Sequence, residues 1–124
     1  MNYEEMNNHQ INKRVARALG IEWIAVAQDG LIVDGQSTSV DYCNNPSDAW
    51  PIIFDSGMSI WQVTESDREI GMSYATGDWG AYCVMQVDGE SNINSDGFEA
   101  LDSNPLRAAM ICFLKMKDAE NGNN

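Results

Sequence analysis

Met58-Ser59-Ile60-Trp61-Gln62-Val63-Thr64-Glu65, Gly71-Met72-Ser73-Tyr74-Ala75-Thr76 and Gly80-Ala81-Tyr82-Cys83-Val84-Met85-Gln86-Val87 are three β-prone runs. The dipeptides Ser66-Asp67 and Gly77-Asp78 divide them. Turn residues between stretches rich in Val, Ile, Tyr and Trp predict an antiparallel meander. An earlier β signal runs from Glu22-Trp23-Ile24-Ala25-Val26-Ala27-Gln28 through Asp29-Gly30 into Leu31-Ile32-Val33. Asp-Gly is favoured in a type I′ hairpin, because both central residues need positive φ. Residues 35–44 read as a polar loop, and residues 88–103 as a long acidic one.

Three helices frame these strands. Asn7 caps the first, with Gln10 placed to close a capping box and Met6 and Ile11 placed as a hydrophobic staple. Ile11, Val15, Ala18 and Leu19 then form one apolar stripe, and Gly20 stops it, so the helix covers about residues 8–19. Asn45 caps the second, with Pro46 at its first position and Asp48 favourable to the dipole. Pro51 removes one helical hydrogen bond and predicts a kink or a short helix, ended by Gly57. Trp50 is expected to anchor that helix on the sheet. Asn104-Pro105 opens the third helix, with an apolar face of Leu106, Ala109, Met110, Phe113 and Leu114, and Lys115 and Lys117 near its negative end. The order α-ββ-α-βββ-α predicts an α+β domain: an antiparallel β-sheet of about five strands with helices packed on one face. Residues 1–120 are expected to form one domain and residues 121–124 a polar tail.

Composition narrows the function. The chain has 124 residues, is 44% hydrophobic and includes four Trp, four Tyr and three Phe, which is enough for a core. A net charge of −12 argues against direct binding of nucleic acid or anionic membranes. No apolar run reaches the ~18 residues of a membrane span, and residues 1–5 are too acidic and polar for a signal peptide. Cys43, Cys83 and Cys112 are odd in number and widely spaced, so they read as buried thiols of a reducing cytoplasm. No cofactor motif of the phosphate-loop or dinucleotide-binding kind is present.

At this point the residues resemble a family. Asp41-Tyr42-Cys43-Asn44-Asn45-Pro46-Ser47-Asp48-Ala49-Trp50-Pro51-Ile52-Ile53, with Asn104-Pro105-Leu106-Arg107-Ala108-Ala109-Met110-Ile111 and Ile11-Asn12-Lys13-Arg14-Val15-Ala16, resembles the NinX-type family. These are small early proteins of lambdoid temperate phages and their prophages. The resemblance spans most of the chain outside residues 66–100. It implies a phage or prophage product in a bacterial cytoplasm, and it carries over no catalytic residues.

Charge is the sharpest remaining feature. Residues 18–106 hold 15 acidic side chains and one basic one, Arg68. Such a surface can dock a basic host or phage protein, imitate duplex DNA with its one charge per ~1.7 Å, or simply keep the protein soluble. Asp88, Glu90, Asp96, Glu99 and Asp102 are the densest group. With Trp79, expected to be exposed in the Gly77-Asp78 turn, they are the candidate protein-contact residues. Asn92-Ile93-Asn94-Ser95-Asp96-Gly97 matches the first half of a calcium loop, but Ser103 stands where its bidentate glutamate belongs. His9, the sole histidine, reads as solvated. Acid pairs such as Asp67/Glu69 match solvated edges as well as they match general acids. The leading reading is therefore a non-enzymatic acidic protein that binds a basic partner. The alternative is a small metal-dependent or enzymatic domain built on residues 92–102.

Overall fold

Three asparagines start the three helices. Asn7 accepts from the Gln10 amide while the Gln10 side chain accepts from the Asn7 amide, a closed capping box that opens α1, Asn8–Ala18. Asn45 accepts from the Ser47 amide and opens α2, Pro46–Asp55, with proline at its first position. Asn104 accepts from the amides of Leu106 and Arg107 and opens α3, Pro105–Glu120. Gly20 and Gly57 follow α1 and α2 at φ 76° and 61°, the left-handed stops expected of them. α2 continues through Pro51 to Asp55, so the proline neither ends nor shortens it.

The computed structural model describes residues 2–27, 30–33, 39–84 and 97–121. A short 3-10 turn, Tyr3–Glu5, precedes α1. The strands are β1 (Trp23–Ala27), β2 (Gly30–Val33), β3 (Ser39–Val40), β4 (Ser59–Asp67), β5 (Met72–Val84) and β6 (Gly97–Asp102). The class is α+β with antiparallel pairing throughout, as the sequence predicts. The strands divide into two three-stranded sheets, β1-β2-β3 and β4-β5-β6, instead of one sheet of five. β1 and β2 form the expected hairpin, with Ala27 opposite Gly30; the two residues joining them lie outside the described residues.

Besides β3, which pairs with β2 inside the stretch read as a polar loop, two differences from the sequence reading come from long-range pairing. Gly77-Asp78 is no turn. It lies inside β5, at a break in register between the Gln62–Trp79 and Thr64–Ala75 pairs. There Val63 faces the extra residues 76–78. Thr76 Oγ1 donates to the Val63 carbonyl at 3.0 Å and accepts from the Asp78 amide, while Gly77 takes φ 92°. A local turn signal has become a bulge in one long strand. The second difference is β6. Its six residues fall in the stretch read as an acidic loop, and they pair with residues 79–84 of β5. Phe98 and Ala100 turn towards the core, whereas Glu99 and Leu101 are exposed.

α3 is the centre of the molecule. Residues 108–114 are buried without a break, together with Met116. A helix buried on all sides must be covered on all sides. β5 and β6 cover one side of α3, and α1 and α2 cover others. α1 in turn lies against β1 and β2, burying Ile11, Asn12, Val15 and Ala16. All three thiols are reduced and buried, and Cys83 Sγ of β5 lies 3.1 Å from Cys112 Sγ of α3.

The two proline-bounded caps differ in what depends on them. Asn45 serves its own helix, so Asn45→Ala should cost about 0.5–2 kcal/mol. Asn104 also donates to the Cys43 carbonyl at 2.7 Å. Asn104→Ala should therefore cost a further ~1–3 kcal/mol, because it leaves that buried carbonyl unpaired. Urea denaturation of both variants checks the order; equal losses would contradict it.

Candidate functional site

The recurrent motif residues converge on one polar junction. Asn12, 1% exposed on α1, accepts from the Cys43 amide at 3.2 Å and donates to Asp41 at 2.9 Å. Asp41 also accepts from the Asn44 side chain, and its amide donates to Asp48 on α2. Asn104 reaches the Cys43 carbonyl and Asn44 Oδ1 from the start of α3. One turn on, Arg107 donates to Asp102 at 3.0 Å, to Asn8 Oδ1 and to the carbonyls of Glu4 and Met6. Every helix start and the end of β6 is tied here. The side-chain groups at its centre are paired with one another, so the junction is a frame and offers no free ligand group. Burial pushes the Cys43 thiol beside it up to about 12, which leaves it protonated and unsuited to act as a nucleophile. Its closest charge relief, from Arg107, is smaller than the cost of desolvation.

The sequence-predicted contact residues are spread out. Trp79 sits half-buried within β5, opposite Gln62 and Asp102, instead of exposed in a turn. Asp102 is held by Arg107 and accepts from the Asn104 amide, so it serves the frame. Glu99 is exposed on β6. Asp88, Glu90 and Asp96 lie outside the described residues, as do residues 92–96 of the calcium-like spacing. Its second half, residues 97–102, is the extended strand β6. His9 is half-buried rather than solvated, and its Nδ1 has no partner among the described residues. No group of three His, Cys, Asp or Glu side chains among the described residues is placed to hold a metal. Among those residues no helix is long and apolar enough to cross a membrane.

The surface that sequence reasoning missed is the outer side of α2. Ala49, Ile52 and Ile53 are its buried stripe. Trp50, expected in the core, is instead 60% exposed, and Phe54 one turn later is 72% exposed. The reason is phase. At about 100° per residue, Trp50 and Phe54 stand together on the side away from Ile52. The other flank of α2 borders a cleft of about 630 Å³ that reaches the C-terminal ends of α1 and α3. Leu19, Ile21, Ile52, Phe113 and Met116 give it an apolar lining; Asp48, Asp55, Glu120 and Lys117 are its charged groups. Lys117 is paired with Glu120 at 3.2 Å, which leaves the cleft net negative. An exposed aromatic pair beside an acid-rimmed apolar cleft is suited to contact another macromolecule.

The family model of bacteriophage P22 NinX matches residues 2–117. A phage protein from Bacillus cereus ATCC 14579, known from a 2.0 Å crystal structure, has a similar fold. Its TM-score is 0.56 at 14% identity, over 94% of this chain and 97% of that one. No curated protein matches.

Burial now separates two aromatic residues that the sequence treats alike. Phe113→Ala should cost roughly 3–5 kcal/mol, whereas Trp50→Ala should stay within about 1 kcal/mol of the parent. Thermal melts of the two variants decide it, and a Trp50→Ala loss as large as that of Phe113→Ala would contradict the placement of α2.

Proposed function

The chain belongs to the NinX family of bacteriophage P22, and from that premise we propose that it is a non-enzymatic accessory protein of infection that holds a basic host or phage protein in the bacterial cytoplasm. The observation that carries this reading is the exposure of Trp50 and Phe54 on a helix whose own buried stripe is already complete. Apolar aromatic area left in water on a folded domain is the kind of feature that anchors protein contacts. The chemistry of the surroundings supports a basic partner. Asp48 and Asp55 line the cleft on the neighbouring flank of α2, and the chain as a whole carries −12. Charge of that size steers a cationic partner into encounter, while the aromatic pair slows its departure. Glu99, with Asp88, Glu90 and Asp96 of the preceding segment, belongs to the steering charge; Asp102 and Trp79 do not belong to the contact set.

Affinity capture from a bacterial host lysate tests this directly. The parent should retain a basic protein that elutes as salt shortens the Debye length below its ~8 Å at physiological strength. The double variant Trp50→Ala/Phe54→Ala should keep its melting temperature and lose that protein. Retention of the same proteins by both forms would overturn the reading.

A further inference from the structure

Resting on the reading of α2 as a contact element, we propose that the cleft on its other flank receives a cationic amphipathic helix of the partner protein. The walls of the cleft are the ends of α1 and α3, one side of α2, and the residues just after α1 and before α2. Among the described residues no strand residue lines it, so an incoming chain meets no sheet edge there with which to pair its backbone. A segment that enters an apolar cleft must then satisfy its own amide groups, which a helix does internally. The lining suits one face of such a helix. Leu19 and Ile21 are exposed to cover apolar side chains, while Asp55 and Asp48 line the same cleft and can pair with its Lys or Arg side chains. Leu19 and Ile21 are 40% and 38% exposed, so this apolar area lies in water when the chain stands alone.

Charge decides against a second copy as the occupant. Two α2 helices meeting at this flank would bring Asp48 and Asp55 of each copy together, on chains of net charge −12. Like charges at a desolvated contact repel, whereas a cationic helix would compensate them. The two surfaces are also distinct on the molecule. Trp50 and Phe54 do not line the cleft, so substitutions can test each flank of α2 alone.

The test uses a fluorescent Leu/Lys peptide of about 15 residues, designed as an amphipathic helix, with a Leu/Glu peptide of the same pattern as control. Fluorescence anisotropy of the full chain should give one-to-one micromolar binding of the Leu/Lys peptide, none of the Leu/Glu peptide, and weakening as salt rises. Leu19→Glu and Asp55→Lys, both at exposed positions, should each weaken binding about tenfold or more, roughly 1.4 kcal/mol. Trp50→Ala/Phe54→Ala should change it far less. If the peptide fails to bind, or binds equally to the Leu19→Glu and Asp55→Lys variants, the proposal is overturned. A dimer in sedimentation that Leu19→Glu dissolves would also overturn it, by giving the cleft to a second copy. In each of those cases a lysate protein still captured through Trp50 and Phe54 would leave the contact role of α2 standing.

Discussion

The peptide of Cys43 is gripped from both sides, and the rest of the architecture hangs on that grip. Its amide is held by Asn12 from α1 and its carbonyl by Asn104 from the start of α3. The preceding residue but one, Asp41, binds the side chains of Asn12 and Asn44 and, through its amide, Asp48 of α2. A loop with no regular pairing of its own thus satisfies its polar groups by orienting three helices. Buried polar groups are costly when half-satisfied and rigidifying when complete. That explains why Asn12 can sit at 1% exposure in an otherwise apolar interface. It also gives the paired spelling Asn45-Pro46 and Asn104-Pro105 two meanings. The first is a cap alone, whereas the second is a cap and a tie across 61 residues.

Basic residues in this acidic chain serve the same frame. Arg107 fans out to Asp102, Asn8 and two carbonyls at the N-terminal turn, and Lys115 binds Glu4 at 2.7 Å. Tyr3 donates to Asp118 of α3, and burial together with that carboxylate pushes its phenol up to about 12. The N-terminal turn is therefore fastened to α3 by cations and a phenol drawn from a small supply. Much of the remaining acidity is not spent on the frame: Asp55, Glu65, Asp78 and Glu99 are all exposed. Asp48 apart, which accepts from the Asp41 amide and also lines the cleft, structure and surface charge are thereby divided between different residues.

What could be read from the sequence follows the range of the interactions. Helix starts depend on neighbours within three residues, so Asn7, Asn45 and Asn104 were legible with their caps. The hairpin of β1 and β2 was legible for the same reason. β5 was not, because Gly77-Asp78 is turn-like until Val63 is placed opposite it. β6 was hidden by the acidic residues around it, although Phe98 and Ala100 carry the period-two signal of a half-buried strand. Trp50 misled because α2 is apolar on nearly every side. Only the contact with α3 selects Ala49, Ile52 and Ile53 as the inner stripe and turns Trp50 and Phe54 outward. The contact surface was illegible in the sequence because it is the remainder left after packing, and packing is set by residues about 60 positions away.

The claim that the junction acts as one unit is the most exposed to experiment. A double-mutant cycle of Asn12→Ala and Asn104→Ala, read by urea denaturation, measures it. The two side chains do not need to touch; they hold opposite ends of the same residue, Cys43. Once either is lost, the loop can shift and the other tie is weakened. The double variant should therefore lose less stability than the two single losses combined, by about 1 kcal/mol or more. Losses that add within ~0.5 kcal/mol would show two independent ties, and the account of a single frame would be contradicted.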